Sequence, residues 1–448
     1  MEGIALCIVA MLGCFIAGRR SIAWGVGVVM TIGYGYGIVR ANFPVPMTFF
    51  VFDAGAVGLY AALASRRLTH EQRARMAVLQ PWMIVLLGWP IVLFFFPVQD
   101  PLIQLVGLRA QIFFIPFILI GAMLERDDWF FLTKWFAVLN LAAFGFAIAE
   151  YIEGVPRFYP KNAMTQIIYA SNDVAGHSAL RIPATFINSA AYCAMMVSTM
   201  VLLLGAWVQR RGNKLDFWLL SAAILASVLG VFMGASRSQA LILFMMFGLA
   251  FLMGQVSRKV IIRVAVLVVC AGWVIANNPR LQRFTSLGDT QVVEARFNYS
   301  YNLGGSFFDA AMKYPMGNGL GGGGTSIPYF LRDRLRDPVA MENEYARIML
   351  EQGVPGLLVW LSFMVWVLLR PLEKRSDAWR LGLRLSRTYL AIVFALAATG
   401  TGMLNSTPGT AVLLMLVGWL STARFTLAAQ KTAAPNRVAR TRLAGNMM

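Results

Sequence analysis

Apolar residues occur in long runs along most of the chain, and short polar or basic segments separate these runs. About thirteen runs are long enough to be candidates for crossing a bilayer core of roughly 30 Å. Lipid offers the backbone N–H and C=O groups no partner, so each run is predicted to be a helix. The predicted spans are near 4–18, 22–39, 47–64, 77–96, 102–123, 129–149, 183–208, 216–234, 239–256, 260–276, 353–370, 387–404 and 408–426.

The composition favours the same interpretation. Of the 448 residues, 58% are hydrophobic and 13% are charged, whereas soluble globular domains carry about 25% charged residues. The sequence therefore predicts an all-α polytopic membrane protein with about 12–13 transmembrane helices and one long outer loop that contains short amphipathic helices.

The basic residues collect in alternate connections between the predicted spans. Lysine and arginine are retained on the cytoplasmic side of membrane proteins, where they also meet anionic lipid. The net charge of +18 is therefore attributed to topology and to the lipid bilayer, and no nucleic-acid partner is expected. The pattern predicts an N-terminus outside and a C-terminus inside. The basic segments are 19–20, 65–75, 125–134, 209–214, 257–259, 370–387 and the C-terminal tail.

The spans and their connections divide the chain into five regions. Two outer segments are long, near 150–182 and 277–350, and long connections of this kind are often functional. Within the second, "GNGLGGGGTS" at 317–326 predicts a flexible turn or tight loop. The regions are an N-terminal bundle (1–150), central helices (151–276), a long periplasmic loop (277–350), C-terminal helices (351–428) and a basic, disordered cytoplasmic tail (429–448).

Arginine and lysine are also frequent in the outer segments, where the topology rule predicts few of them. The planar guanidinium donates paired hydrogen bonds to phosphate oxygens and keeps its charge, so converging arginines suit a lipid-diphosphate ligand. The alternative for Arg332, Arg334 and Arg336 is a solvated charged face, since Asp333 and Asp337 alternate with them. The basic residues are Arg157, Lys161, Arg181, Arg237, Arg280, Arg283, Arg296, Lys313, Arg332, Arg334, Arg336 and Arg347.

Arg109 lies inside a predicted span, where an ionisable side chain marks a functional or a paired site. It is either a substrate-binding residue or the structural partner of Glu150 or Glu153. No nucleotide-binding fingerprint and no paired acidic metal motif is found, so no cofactor and no metal are expected.

Several segments occur in an order that resembles a known superfamily. "RIPATFINSAAY" begins at Arg181, "GASRSQALILFMMFGLAF" contains Arg237, and "EARFNYSYNLGGSFFDAAMKYPMGNGLGGG" contains Arg296. "ENEYARIMLEQGVPGLL" then leads from Glu342 back into the membrane. This order, over about 180–370, resembles the O-antigen ligase and Wzy-type polysaccharide polymerase superfamily of the bacterial envelope.

The resemblance implies a GT-C-like helical fold and an enzyme of the inner membrane whose active site faces the periplasm. It implies undecaprenyl-diphosphate-linked oligosaccharides as donor and acceptor, with a chain-length regulator and a flippase as protein partners. Arg237 and Arg296 match the diphosphate-binding arginines, and Arg181 is a further candidate. Glu342 matches the residue that activates the acceptor hydroxyl.

Asn343, Tyr345 and Arg347 follow in the same motif and are predicted to bind substrate, whereas Glu351 is predicted to be structural. The ligases carry a histidine where this chain has Glu342, and an acidic residue suits a polymerase better. The alternatives are an O-antigen ligase, a protein O-glycosyltransferase or a lipid-linked sugar flippase. Glu342 and Glu344 also fit a simpler explanation, because carboxylates in a first helical turn complement the helix dipole.

Overall fold

The computed structural model describes residues 2–170, 180–209, 213–252, 307–324, 327–337, 339, 343–372, 379–400 and 402–422. These residues are mostly helical and contain no strand. Nine helices within them are long and apolar enough to cross a membrane. The chain is therefore an all-α polytopic membrane protein, as its sequence predicts.

The helices follow the predicted spans closely, with the largest shifts near residue 350 and beyond. The span predicted at 353–370 belongs to a helix that begins earlier, at Glu344, and the span predicted at 387–404 begins at Arg380 and ends at Leu396. The span predicted at 260–276 lies outside the described residues. Apart from three short ones, the described helices are α1 (Glu2–Arg20), α2 (Ile22–Asn42), α3 (Val51–Ala64), α4 (His70–Phe94), α5 (Pro101–Ile112), α6 (Pro116–Met123), α7 (Arg126–Glu153), α10 (Ser189–Gln209), α11 (Lys214–Met233), α12 (Arg237–Leu252), α14 (Glu344–Leu369), α15 (Arg380–Leu396) and α16 (Gly409–Thr422), and α5 and α6 together form one of the nine spans.

Short elements lie between the membrane helices. A 3₁₀ turn at Pro46–Phe50 leads directly into α3, and a second at Tyr329–Arg334 belongs to the long loop. Three short helices are α8 (Val155–Phe158), α9 (Gln166–Ala170) and α13 (Phe307–Lys313). Helix α13 lies within the long outer loop, for which short amphipathic helices are predicted.

Polar side chains at the segment ends explain where several helices begin. The Ser21 hydroxyl caps α2, Thr69 and Gln72 form a reciprocal capping box at α4, and Asp100 caps α5 ahead of Pro101. Such caps satisfy the N–H groups that a first helical turn leaves without partners. Each capping residue directly precedes an apolar helix, so the sequence marks both the apolar run and its start.

Contacts between connections establish which segments share an end of the bundle. Arg19 donates to Ser65, and Arg75 donates to the carbonyl of Leu124. Arg370 donates to the carbonyl of Ser421. These basic residues belong to segments predicted to be cytoplasmic, and their end is called the inner end below. The opposite end, which carries the 3₁₀ turn of the long loop, is called the outer end.

Small residues allow the closest helix crossings. A Cβ added to Gly121 would lie 2.0 Å from the carbonyl oxygen of Met415, and one added to Gly418 would lie 1.9 Å from that of Ile118. Helices α6 and α16 therefore approach each other backbone to backbone. In a bilayer, such packing replaces the hydrophobic effect as the force that holds helices together.

Substitution of Gly121 tests this crossing. We expect Gly121→Ala to lower the free energy of unfolding in detergent by about 1–3 kcal/mol, because the added methyl group meets backbone that cannot rotate away. The matched control is Gly145→Ala in α7, whose added Cβ has no atom within 4 Å. Equal thermal stability of the two variants would contradict the close crossing.

Candidate functional site at the outer end

The start of α14 is attached firmly to the connection between α15 and α16. The Asn343 side chain caps the helix by accepting from the Ala346 N–H at 2.6 Å. The Glu344 N–H donates to the carbonyls of Ala397 (2.9 Å) and Gly400 (3.1 Å). The first turn of α14 is therefore held from two sides before any side chain of the helix makes an ionic contact.

A buried ionic network occupies the first two turns of α14. The Arg347 guanidinium donates to Glu344 at 2.5 Å and to Glu351 at 3.2 Å, and all three side chains are completely buried. Their spacing of three and four residues places them on one face of the helix. The backbone N–H groups of Gly402 and Leu404 donate to the same Glu344 carboxylate.

The network continues into α5 and α4 through amides. The Gln111 side chain donates to Glu351 and accepts from the Gln352 side chain at 2.7 Å. The Trp89 indole N–H donates to the Gln352 carbonyl at 2.9 Å. Three helices, α4, α5 and α14, thereby share one polar cluster, which we call the α14 network: Trp89, Gln111, Glu344, Arg347, Glu351 and Gln352.

The physical role of Arg347 follows from its burial. A charge transferred from water into a protein interior costs several kcal/mol unless partners compensate it. Here the guanidinium compensates carboxylates on both sides, and the helix cannot be displaced without exposing or separating them. Arg347 is predicted above as a substrate-binding residue, and the structure places it inside the protein, where it holds α14 in position.

The glycine-rich segment packs against this network as a tight turn. Gly317, Gly319 and Gly321 have positive φ angles, which a residue with a side chain rarely adopts. A Cβ added to Gly323 would lie 3.2 Å from Glu351 Oε1. Of the two alternatives for this segment, the tight loop is the one observed.

Residues from distant parts of the chain fix the glycine turn. The Asn318 N–H donates to the Leu350 carbonyl, and the Gln99 side chain donates to the carbonyls of Asn318 (2.8 Å) and Arg336 (3.0 Å). A Cβ added to Gly107 of α5 would lie 2.2 Å from the Gly321 nitrogen. The glycine turn of the long loop is therefore built into the outer end of the bundle.

The segments that carry Arg181 and Arg237 both approach Cys193 of α10. Phe186, five residues after Arg181, contacts the ring of Tyr192 next to Cys193, with ring centroids 5.8 Å apart. A Cβ added to Gly234, three residues before Arg237, would lie 2.3 Å from the Cys193 sulfur. Arg237 is the first residue of α12, where the predicted turn begins a span. The structure thus brings together the two short motifs that carry these arginines, although they are 56 positions apart in the sequence.

The segment that follows Arg181 is held by a buried carboxylate. Glu150 Oε2 accepts from the Ala184 N–H at 2.8 Å, and the Tyr159 hydroxyl donates to the Ala184 carbonyl at 2.7 Å. Ala184 has a φ angle of 51°, which these contacts stabilise. Burial, with the Glu150 charge adding to it, raises the pKa of Tyr159 well above its usual range, so its hydroxyl remains a donor.

One predicted site residue has a different partner from the one expected, and two others lie outside the described part of the chain. Arg109 pairs with neither Glu150 nor Glu153: it donates to Asp53 of α3 at 2.6 and 2.8 Å. The reason is geometric, because α3 lies beside α5 and Glu153 is already paired with Arg157. Glu342 and Arg296, two of the three predicted catalytic residues, lie outside the described residues, and the third, Arg237, begins α12.

The remaining predicted side chains have ordinary structural contacts. The Tyr345 hydroxyl donates to the Phe394 carbonyl of α15 at 2.5 Å. Arg332, Arg334 and Arg336 are exposed, as a solvated charged face predicts. Cys14 and Cys193 are buried free thiols and Cys7 is half-buried, in line with small apolar residues.

The amide and aspartate partners in these sites were not predicted from the sequence. Gln111 and Asp53 lie on other helices and Gln99 lies in the connection between α4 and α5, each far along the chain from the residues that it contacts. The three- and four-residue spacing of Glu344, Arg347 and Glu351 was the one available signal, since it predicts ion pairs on a single helix face.

No family model matches this chain. No curated protein is significantly similar to it.

Removal of the central cation tests the role of the α14 network. We expect Arg347→Gln to lower the free energy of unfolding by about 3–5 kcal/mol, because Glu344 and Glu351 would stay buried without it. Thermal unfolding and folded yield in detergent measure the effect. The control is Arg332→Gln, an exposed arginine of the long loop, for which we expect little change. A folded Arg347→Gln variant of wild-type stability would contradict the assignment.

Proposed function

We propose that this chain is a polymerase of a bacterial surface polysaccharide or exopolysaccharide. It transfers a growing glycan from undecaprenyl diphosphate onto a second lipid-linked repeat unit. The membrane is the bacterial inner membrane, and the outer end of the bundle faces the periplasm. A metal-independent glycosyltransferase of this kind acts on two lipid-linked substrates and needs a site at the membrane surface.

The proposal rests on one observation above the others. The segment that resembles the re-entry motif of the superfamily, from Asn343 to Gly353, is the most elaborately fixed part of the outer end. Its first residues carry a cap, backbone contacts from the α15–α16 connection and the α14 network. Glu342 directly precedes Asn343 in the chain. A residue that must be aimed at a reacting hydroxyl benefits from such a rigid support.

Each residue has a role in the proposed reaction. The oxygen of an acceptor hydroxyl forms a bond to the anomeric carbon of the donor glycan. The bond from that carbon to the diphosphate oxygen breaks, and the electron pair leaves with undecaprenyl diphosphate. Glu342 accepts the hydroxyl proton. Arg237, Arg296 and Arg181 stabilise the negative charge that develops on the leaving group.

Arg347, Asn343 and Tyr345 are positioning residues in this scheme. Asn343 caps α14, Arg347 holds its first turns, and Tyr345 ties it to α15. Glu150 and Tyr159 do the same for the segment that follows Arg181. Buried polar contacts thus keep in place the segments that directly follow two of the residues with a proposed chemical role, Arg181 and Glu342.

The glutamate at position 342 is the feature that favours a polymerase over a ligase of the same superfamily. A flippase would be expected to carry charged residues throughout its translocation path. The completely buried ion pairs among the described residues are instead the Glu344–Arg347–Glu351 contacts at the outer end of α14.

Deletion of the chain from its host, followed by glycan analysis, tests the proposal. If the chain is a polymerase, single lipid-linked repeat units accumulate at the periplasmic face of the inner membrane. Long polymer stranded on lipid would indicate a ligase instead, and repeat units trapped in the cytoplasm would indicate a flippase.

Complementation of the deletion strain then tests the residues. We expect Glu342→Gln, Arg296→Ala and Arg237→Ala to leave protein in the membrane but to abolish polymer, since each removes a group that acts on the reacting atoms. The matched control is Arg332→Ala, which removes an exposed arginine of the long loop. Polymer of normal length from the first three variants would refute the assignment.

A further inference from the structure

Helix α5 presents two faces with different surroundings. Gly107 and Gln111, four residues apart, face the glycine turn and the α14 network. Arg109 lies between them in sequence and on the opposite face, because each residue rotates the helix by about 100°. Arg109 therefore belongs to a different environment from the proposed catalytic site.

The face that carries Arg109 also carries exposed apolar side chains. Leu102 and Leu105 are 45% and 53% exposed, and Arg109 follows them at helical spacing. On α3, Val57 is 44% exposed and stands one turn after Asp53. Exposed leucine and valine on helices that span a membrane contact lipid, so Arg109 and Asp53 lie at a lipid-facing seam between α3 and α5.

The ion pair leaves part of the guanidinium without a protein partner. Arg109 Nε and Nη2 donate to the two carboxylate oxygens of Asp53, at 2.8 and 2.6 Å. Among the described residues, Nη1 has no hydrogen-bond acceptor. The Arg109 side chain is 31% exposed whereas that of Asp53 is 10% exposed, so the cation is the outward member of the pair.

The position of the pair is just beneath the outer connection of α2 and α3. The Tyr36 hydroxyl donates to the Phe49 carbonyl in that connection at 2.6 Å. Asp53 is the third residue of α3, directly after that connection. Phe113 and Phe114 flank the Arg109 guanidinium, with ring centroids 5.8 Å from its carbon.

We infer that Arg109 binds the phosphate of a lipid headgroup at the seam between α3 and α5. At this depth an N–H donor that faces lipid needs an acceptor, and hydrocarbon supplies none. A phosphate oxygen fits because it is anionic and accepts from the fork of a guanidinium. The site is separate from the proposed catalytic site, and it does not depend on the glycan chemistry being correct.

The Asp53 carboxylate competes with the lipid phosphate for the Arg109 guanidinium. It accepts from two nitrogens of Arg109 and its charge opposes that of the guanidinium, so it lowers the affinity of the site for phosphate. This arrangement predicts opposite effects from two related variants, which a purely structural ion pair would not produce.

Lipid retention by the purified full chain tests the inference. The protein is delipidated in detergent and incubated separately with phosphatidylglycerol, undecaprenyl diphosphate and a phosphate-free galactolipid. Bound lipid is then counted by native mass spectrometry. We expect Asp53→Asn to increase retention of both phosphate-bearing lipids. The double variant Asp53→Asn/Arg109→Gln, which keeps a neutral hydrogen-bonding pair, should lower it by about tenfold.

Controls make each outcome decisive. Arg332→Gln, which removes an exposed outer charge, should retain lipid like the wild type. Retention of both phosphate lipids supports a general phospholipid site, and retention of undecaprenyl diphosphate alone supports a subsite for a lipid-linked substrate. Equal retention of the galactolipid, or no increase in Asp53→Asn, would overturn the inference. The single variant keeps the test valid if the double variant does not fold.

Discussion

The outer end of this protein depends on a single buried guanidinium. Arg347 lies between Glu344 and Glu351 with no exposure of any of the three side chains. In a low-dielectric environment such contacts are compensated only when every partner is in place. The start of α14, the α15–α16 connection and α5 must therefore all adopt their observed positions together.

This constraint explains why so many irregular segments meet at one place. The Glu344 carboxylate accepts backbone N–H groups from Gly402 and Leu404, and Glu351 accepts from Gln111 and lies beside the glycine turn. Non-helical backbone at membrane depth is tolerated only where protein supplies its hydrogen bonds. The network supplies part of them, which allows a loop to reach into the bundle without losing its order.

Much of the fold could be predicted from the sequence, because bilayer thickness and unsatisfied backbone groups leave few options for a long apolar run. The contacts of the site could not. Gln111 and Glu351 are 240 residues apart, and Arg109 and Asp53 are 56 residues apart. Periodicity along one helix reveals pairs such as Glu344 and Arg347, but not the partner that another helix contributes. The sequence likewise shows that the segment is rich in glycine, but the composition alone does not distinguish a tight turn from a flexible one. The positive φ angles of the turn are apparent only in the structure, where neighbouring backbone packs against it.

The two faces of α5 contribute to two different polar sites, the α14 network through Gln111 and the ion pair with Asp53 through Arg109. The buried face supports the segment that carries the proposed catalytic residues, and the lipid face offers a guanidinium to the bilayer. Movement of α5 would change both together, because Arg109 and Gln111 are two residues apart.

Glycan transfer by the purified chain is the most direct test of the account. The protein in lipid nanodiscs is supplied with undecaprenyl-diphosphate-linked repeat units from its host, and the products are separated by length. The account predicts a ladder of longer lipid-linked glycans, with one undecaprenyl diphosphate released for each linkage formed. Unchanged repeat units in the presence of folded protein, with no undecaprenyl diphosphate released, would contradict it.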